Sequence, residues 1–119
     1  DVFEHVDDYI GFLRELKSKS KYKIFHIPLD MNINYVFREK PLIRERNYNG
    51  HLHYFNKYTA IETLLYSGYH IIDSFYTKLP NSGTKLNHIF EIPRRALFKI
   101  NKDLCVRLMG GYSLMVLTE

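Results

Sequence analysis

Cysteine is almost absent: Cys105 is the single one in 119 residues. No internal disulfide can form, so the framework common in small secreted domains is excluded and a reducing cytoplasm is the expected compartment. No apolar run approaches the roughly 18 residues that a membrane-spanning helix needs. The opening Asp1-Val2-Phe3-Glu4-His5 has neither the basic nor the apolar stretch of a signal peptide. Glycine is sparse, and no G-x-G run occurs; Gly110-Gly111 lies near the far end. The glycine-rich turn that lets backbone approach a nucleotide cofactor is therefore missing from these residues. Repeats, low-complexity tracts and linkers are missing as well.

What remains is enough to fold. A hydrophobic fraction of 45% supports a core and excludes a disordered segment. The net charge of +4 suits an acidic partner without specifying one. Lys17, Lys19, Lys21 and Lys23 form the densest basic group. They fall where a helix is expected to end, and cations there favour the helix dipole more simply than they mark a nucleic-acid surface. The ten tyrosines and eight phenylalanines belong first to core and pocket walls.

The pattern along the chain alternates. Val2 and Phe3 resemble the end of a strand. With Asp7 or Asp8 as cap, Tyr9, Phe12, Leu13 and Leu16 recur at helical spacing. Tyr22 to Leu29 reads as a buried strand of the parallel type, closed by Pro28. Met31 to Phe37 suits a short helix. Residues 38–46 are highly charged, and Asn47-Tyr48-Asn49-Gly50 signals a turn. Asn56 can cap a second helix with Ala60, Ile61, Leu64 and Leu65 on its apolar face and Gly68 at its end. Tyr69 to Thr77 reads as a strand, and Pro80-Asn81-Ser82-Gly83 as a turn or mobile loop. Pro93 suits the first turn of a third helix, which Gly110-Gly111 stops. Tyr112 to Thr118 closes the series as a strand. Such alternation predicts an α/β layer with a largely parallel sheet.

The ordered set resembles the C-terminal half of a class I S-adenosylmethionine-dependent methyltransferase. The segment Asp1-Val2-Phe3-Glu4-His5-Val6-Asp7-Asp8 is similar to the D-x-x-E-H-V-x-D stretch after that family's fourth strand. Gly50-His51-Leu52-His53-Tyr54-Phe55, a helix, and Ser67-Gly68-Tyr69 are similar to its histidine, aromatic pair and Gly-Tyr helix end. The resemblance implies one partial domain over 1–119, with a loop or lid over 30–55 and a helical insertion over 80–111. It implies half of a seven-stranded Rossmann-like sheet, mostly parallel with an antiparallel last strand. The implied activity is methyl transfer from S-adenosylmethionine to an oxygen, nitrogen or carbon of a small molecule. The glycine-rich half that holds most of the cofactor has no counterpart here, so this chain alone is expected to be inactive.

Site residues follow. The resemblance places Asp1, Phe3, Glu4 and His5 on the cofactor side and makes His5 and His51 the catalytic candidates. Histidine exchanges protons near neutral pH, and a base assists transfer to a hydroxyl or ammonium. Asp30, Arg44, His51, His53 and Tyr54 are the substrate-side candidates. The loop residues Tyr35, Phe37, Arg38, Arg44 and Arg46 could also meet an anionic acceptor. Bland alternatives stand beside each: Glu4-His5 as a helix cap, Tyr54-Phe55 as a core wedge, the loop as a solvated surface. His51 and His53 share one face of an extended segment. A metal would need a third ligand such as His26 or His5, and no spacing fixes one, so no metal is expected. Cys105 reads as a small buried residue rather than a nucleophile.

The expected partner is a small-molecule methyl acceptor, with no membrane and no nucleic acid. A bare sheet edge is expected to drive self-association. Two other classes stay open: a basic, aromatic-rich binding module without catalysis, and a degenerate methyltransferase-like subunit.

Overall fold

The computed structural model describes residues 1–79 and 85–119. The turn or loop expected at Pro80-Asn81-Ser82-Gly83 lies outside them. Phe3–His5 form a short 3-10 turn, followed by helix α1 (Tyr9–Lys17) and strand β1 (Lys23–Pro28). Two short helices come next, α2 (Ile33–Arg38) and α3 (Lys40–Arg44), and α3 runs into a π-helical turn at Glu45–Asn49. Helix α4 (Lys57–Tyr66), strand β2 (Ile71–Lys78), helices α5 (Lys85–Ile100) and α6 (Lys102–Met109) and strand β3 (Tyr112–Thr118) complete the order.

The three strands make one sheet in the order β1-β3-β2, and both ladders are antiparallel. This overturns the expected half of a seven-stranded, mostly parallel Rossmann-like sheet. Among the described residues no two hydrogen-bonded neighbours run parallel. The cause is placement: β3 lies between β1 and β2 and takes the ladder bonds through which those two could have paired. Alternation in sequence specifies the elements but leaves the order of strands in space open. Phe25 faces Val116 and Ile27 faces Leu114 in one ladder. Tyr76 faces Leu114 in the other, which carries a register shift between Ile71 and Asp73.

Local signals placed most helices well. Asp8 accepts from the Gly11 amide at the start of α1. Asn56 and Thr59 exchange side-chain and backbone hydrogen bonds in a capping box at the start of α4. Ala60 and Leu64 of that helix are fully buried, whereas Leu65 is exposed. Gly68 takes a φ of +91°, the left-handed conformation expected after α4.

Three local expectations fail. Phe3–His5 is not a strand end, because its amides turn back locally, His5 to Val2 and Val6 to Phe3. Pro93 lies inside α5 rather than in a first turn. There it lacks the amide that would close a bond to the preceding turn, at a cost of roughly 3 kcal/mol that the rest of the helix must offset. The third helix is in fact two, since Asn101 accepts from the Leu104 amide and caps α6 anew.

The core gathers Leu13 of α1, Leu64 of α4 and Cys105 of α6 around Phe25, Ile27, Leu114 and Val116 of the sheet. Phe3 joins it, with its ring 5.2 Å from Phe55 and 6.1 Å from Phe25. The lysine group after α1 serves the fold: Lys23 donates to the Lys17 and Ser20 carbonyls, and Lys17 donates to Gly68. Among the described residues no helix is long and apolar enough to cross a membrane.

Candidate functional site

Each of β1 and β2 runs antiparallel to β3, so their carboxyl ends share one edge of the sheet, where Pro28 faces Ser113 and Lys78 faces Tyr112. Asp30 follows β1 at this edge. Its backbone is anchored by Asn32, whose buried amide donates to the Leu29 and Asp30 carbonyls at 3.2 Å each.

The loop after the π-helical turn brings His51 to the same place. Gly50 ends that turn with a φ of +74°, which a side chain would resist. The amides of Leu52 and His53 then both donate to the Glu4 carbonyl, at 2.8 and 3.1 Å. His5 answers in the other direction, with Nδ1 3.0 Å from the Gly50 carbonyl. These bonds tie two segments distant in sequence into one cluster: Glu4, His5, Asp30, Glu45 and His51.

Inside it, His51 Nδ1 lies 2.6 Å from Asp30 Oδ2, and both side chains are buried. A carboxylate only accepts, so an ionised Asp30 holds the proton on Nδ1 and leaves the Nε2 lone pair of His51 free. A carbonyl likewise only accepts, so His5 carries its proton on Nδ1 and its lone pair on Nε2. The two rings meet edge to face with centroids 5.0 Å apart. Burial pushes the Asp30 carboxyl up from its ordinary range; the His51 hydrogen bond pulls against this, and Glu45 and Glu4 add to the rise. Glu4 is fully buried, and neither of its carboxylate oxygens has a hydrogen-bond partner.

The other expected site residues separate from this cluster. Phe3 is core. Asp1 sits at the edge of β1, where its nitrogen donates to the His26 carbonyl and its carboxylate meets His26 Nδ1 at 3.0 Å. His26 is further held by Thr77, with 3.0 Å between Nε2 and Oγ1, and burial lowers its pKa. His53 does not act with His51: its Nε2 lies 2.9 Å from the Val6 carbonyl and its ring packs on Tyr9. Tyr54 donates to the Leu42 carbonyl at 2.9 Å. Arg44 reaches Glu45 at 3.4 Å from an exposed position.

Glu45 is the residue that sequence reading missed. It is buried, takes a hydrogen bond from Asn49 and stands close enough to Asp30 and His51 for the three to share a ligand. Nothing distinguishes it in the charged run of residues 38–46. A cavity of about 470 Å³ opens nearby, with Leu29, Met31, Val36, Phe37 and Tyr58 in its walls. Although Leu29 and Met31 flank Asp30, no residue of the cluster lines that cavity. The convergence of titratable groups makes the cluster, rather than the cavity, the candidate site. Compared with models of known protein families and with curated proteins, the chain matches none.

Proposed function

We propose that this chain supplies the acceptor side of an S-adenosylmethionine-dependent methyltransferase acting on a small molecule. The buried Asp30–His51 pair beside His5, at the carboxyl edge of the sheet, is the observation that carries this proposal. A histidine with one nitrogen fixed by a carboxylate presents the other as a ready acceptor for a proton.

In the reaction, a lone pair on the acceptor atom attacks the methyl carbon of the sulfonium. The new bond forms as the sulfur–carbon bond breaks, and S-adenosylhomocysteine leaves. His51 Nε2 and His5 Nε2 orient the acceptor, and a hydroxyl or ammonium proton departs to one of them. Of the cofactor-side candidates, Phe3 acts as scaffold, because its ring is enclosed by Tyr9, Phe25 and Phe55. His5 is the one whose half-exposed ring can reach a ligand. Most of the cofactor would be held by a glycine-rich segment that these residues do not contain.

The test is binding of S-adenosylhomocysteine to the gene product that carries this chain, followed by tritium transfer from labelled cofactor to small-molecule acceptors. Saturable binding is expected, with transfer reduced about 10²- to 10⁴-fold in His51→Ala, the range for a lost general base. Absence of binding would sink the proposal.

A further inference from the structure

Three buried carboxylates, Glu4, Asp30 and Glu45, converge on His51. Asp30 has the His51 ring, and Glu45 has Asn49 and Arg44. The Glu4 carboxylate has no hydrogen-bond partner among the described residues, although its side chain is completely shielded from solvent. An ionised carboxylate in such a place is costly without a counter-charge, and an unsatisfied buried group points to an ion or water that completes it.

The neighbours of Glu4 define what would complete it. Its Oε1 lies 3.6 Å from His5 Nε2, and one ligand atom each from Glu4, His5 and His51 falls within 4.8 Å of the others. Both imidazoles have Nδ1 committed, one to the Gly50 carbonyl and one to Asp30. Both Nε2 lone pairs are therefore free. Ligands about 2.1 Å from a metal stand roughly 3.0–3.4 Å from one another, so small rotations of these side chains close the set.

We infer that Glu4, His5 and His51 bind a divalent first-row transition-metal ion such as Zn²⁺. Two imidazoles and one carboxylate form a donor set suited to that class of ion and not to Mg²⁺ or Ca²⁺. Asp30 is the orienting partner behind His51, the role that carboxylates take behind metal-bound histidines. The Gly50 carbonyl does the same behind His5. The alternative trio of Asp30, Glu45 and His51 is less suited, because the short Asp30–His51 contact is itself a hydrogen bond between two of its members. The His5 ring is half-exposed, which leaves the ion a side open to solvent or to a ligand oxygen.

The site stands independently of methyl transfer. Where both hold, the ion would occupy both Nε2 atoms and, by lowering the pKa of a bound acceptor group, would replace proton uptake by either histidine. The test uses the metal alone. Metal-stripped protein is titrated with Zn²⁺ by calorimetry and with Co²⁺ by visible absorption, in the absence of any nucleoside cofactor. One ion per chain is expected. His5→Ala and Glu4→Gln each weaken uptake at least tenfold, and Asp30→Asn weakens it about 10- to 100-fold without removing a ligand. His53→Ala, whose ring lies outside the cluster, leaves uptake unchanged. Circular dichroism of each variant confirms folding, and His5→Ala touches the least buried ligand. No saturable uptake, or uptake equal in the parent, His5→Ala and Glu4→Gln, overturns the inference.

Discussion

A Cβ added to Gly110 would stand 2.5 Å from the side-chain nitrogen of Asn32. Gly110 also has a φ of +63° and a ψ of −161°, a region that only glycine occupies at ease. Asn32 cannot simply yield, since it caps α2 through Tyr35 and holds the Leu29 and Asp30 carbonyls. Gly110→Ala should lower stability by about 3 kcal/mol, combining backbone strain with a displaced buried amide. Urea unfolding with an unchanged slope is the measurement, and a midpoint equal to that of the parent would refute the coupling.

Asp103 lies between Tyr76, whose hydroxyl donates to it, and Lys57, 2.9 Å away. These two hold its carboxyl below the usual range, the Tyr76 hydrogen bond most strongly. The folded pKa is depressed, so the linked stability is present above the unfolded value of about 4 and is lost as pH falls through the folded one. Tyr76→Phe should therefore flatten the acid limb of the melting temperature against pH. The carboxylate is nearly half exposed, so the Lys57 pair contributes only about 0–1 kcal/mol. Identical acid limbs in the two proteins would exclude the linkage.

Glu91 of α5 gathers Lys78, Arg94 and Arg95 around a buried carboxylate. Arg94 is as buried as its partner. Glu91→Ala would leave that guanidinium without its counter-charge and should cost about 3 kcal/mol, the low end for breaking a buried pair. Arg95→Ala, at an exposed position, should change stability by less than about 1 kcal/mol. Equal effects from the two substitutions would contradict this division.

Strand β1 borders the sheet, and Ile24 on it is 70% exposed. We expect concentration-dependent self-association through this edge, and Ile24→Lys should suppress it by placing a charge where strands would pair. Light scattering across a dilution series decides: a parent that stays monomeric throughout leaves nothing for the substitution to suppress.

Local rules were legible where one residue type settles the matter. Asn56 and Gly68 bracket α4 as capping chemistry dictates, and β3 spans the expected residues. Asn101 escaped notice because Leu97, Ile100, Leu104 and Leu108 keep a helical rhythm across it. Strand order was illegible, since the period of a strand reveals its faces and not its neighbours. For the site, His5 and His51 were named through resemblance as proton-exchanging candidates, but not their grouping with Glu4. Asp30 and His51 are separated by 21 positions, and only the fold puts their side chains together. The isolation of Glu4 could not be read at all, because burial of a polar residue is a property of the assembled chain.

The central position of β3 has a consequence for how the protein is made. Lys23 and Thr118, opposed in the sheet, are 95 positions apart. While translation proceeds, neither β1 nor β2 has a strand partner until the residues of β3 leave the ribosome. The nascent polypeptide must carry two unpaired strands for several seconds at ordinary elongation rates of about 5–20 residues per second. A sheet whose central strand is made after both of its neighbours forms all at once and late.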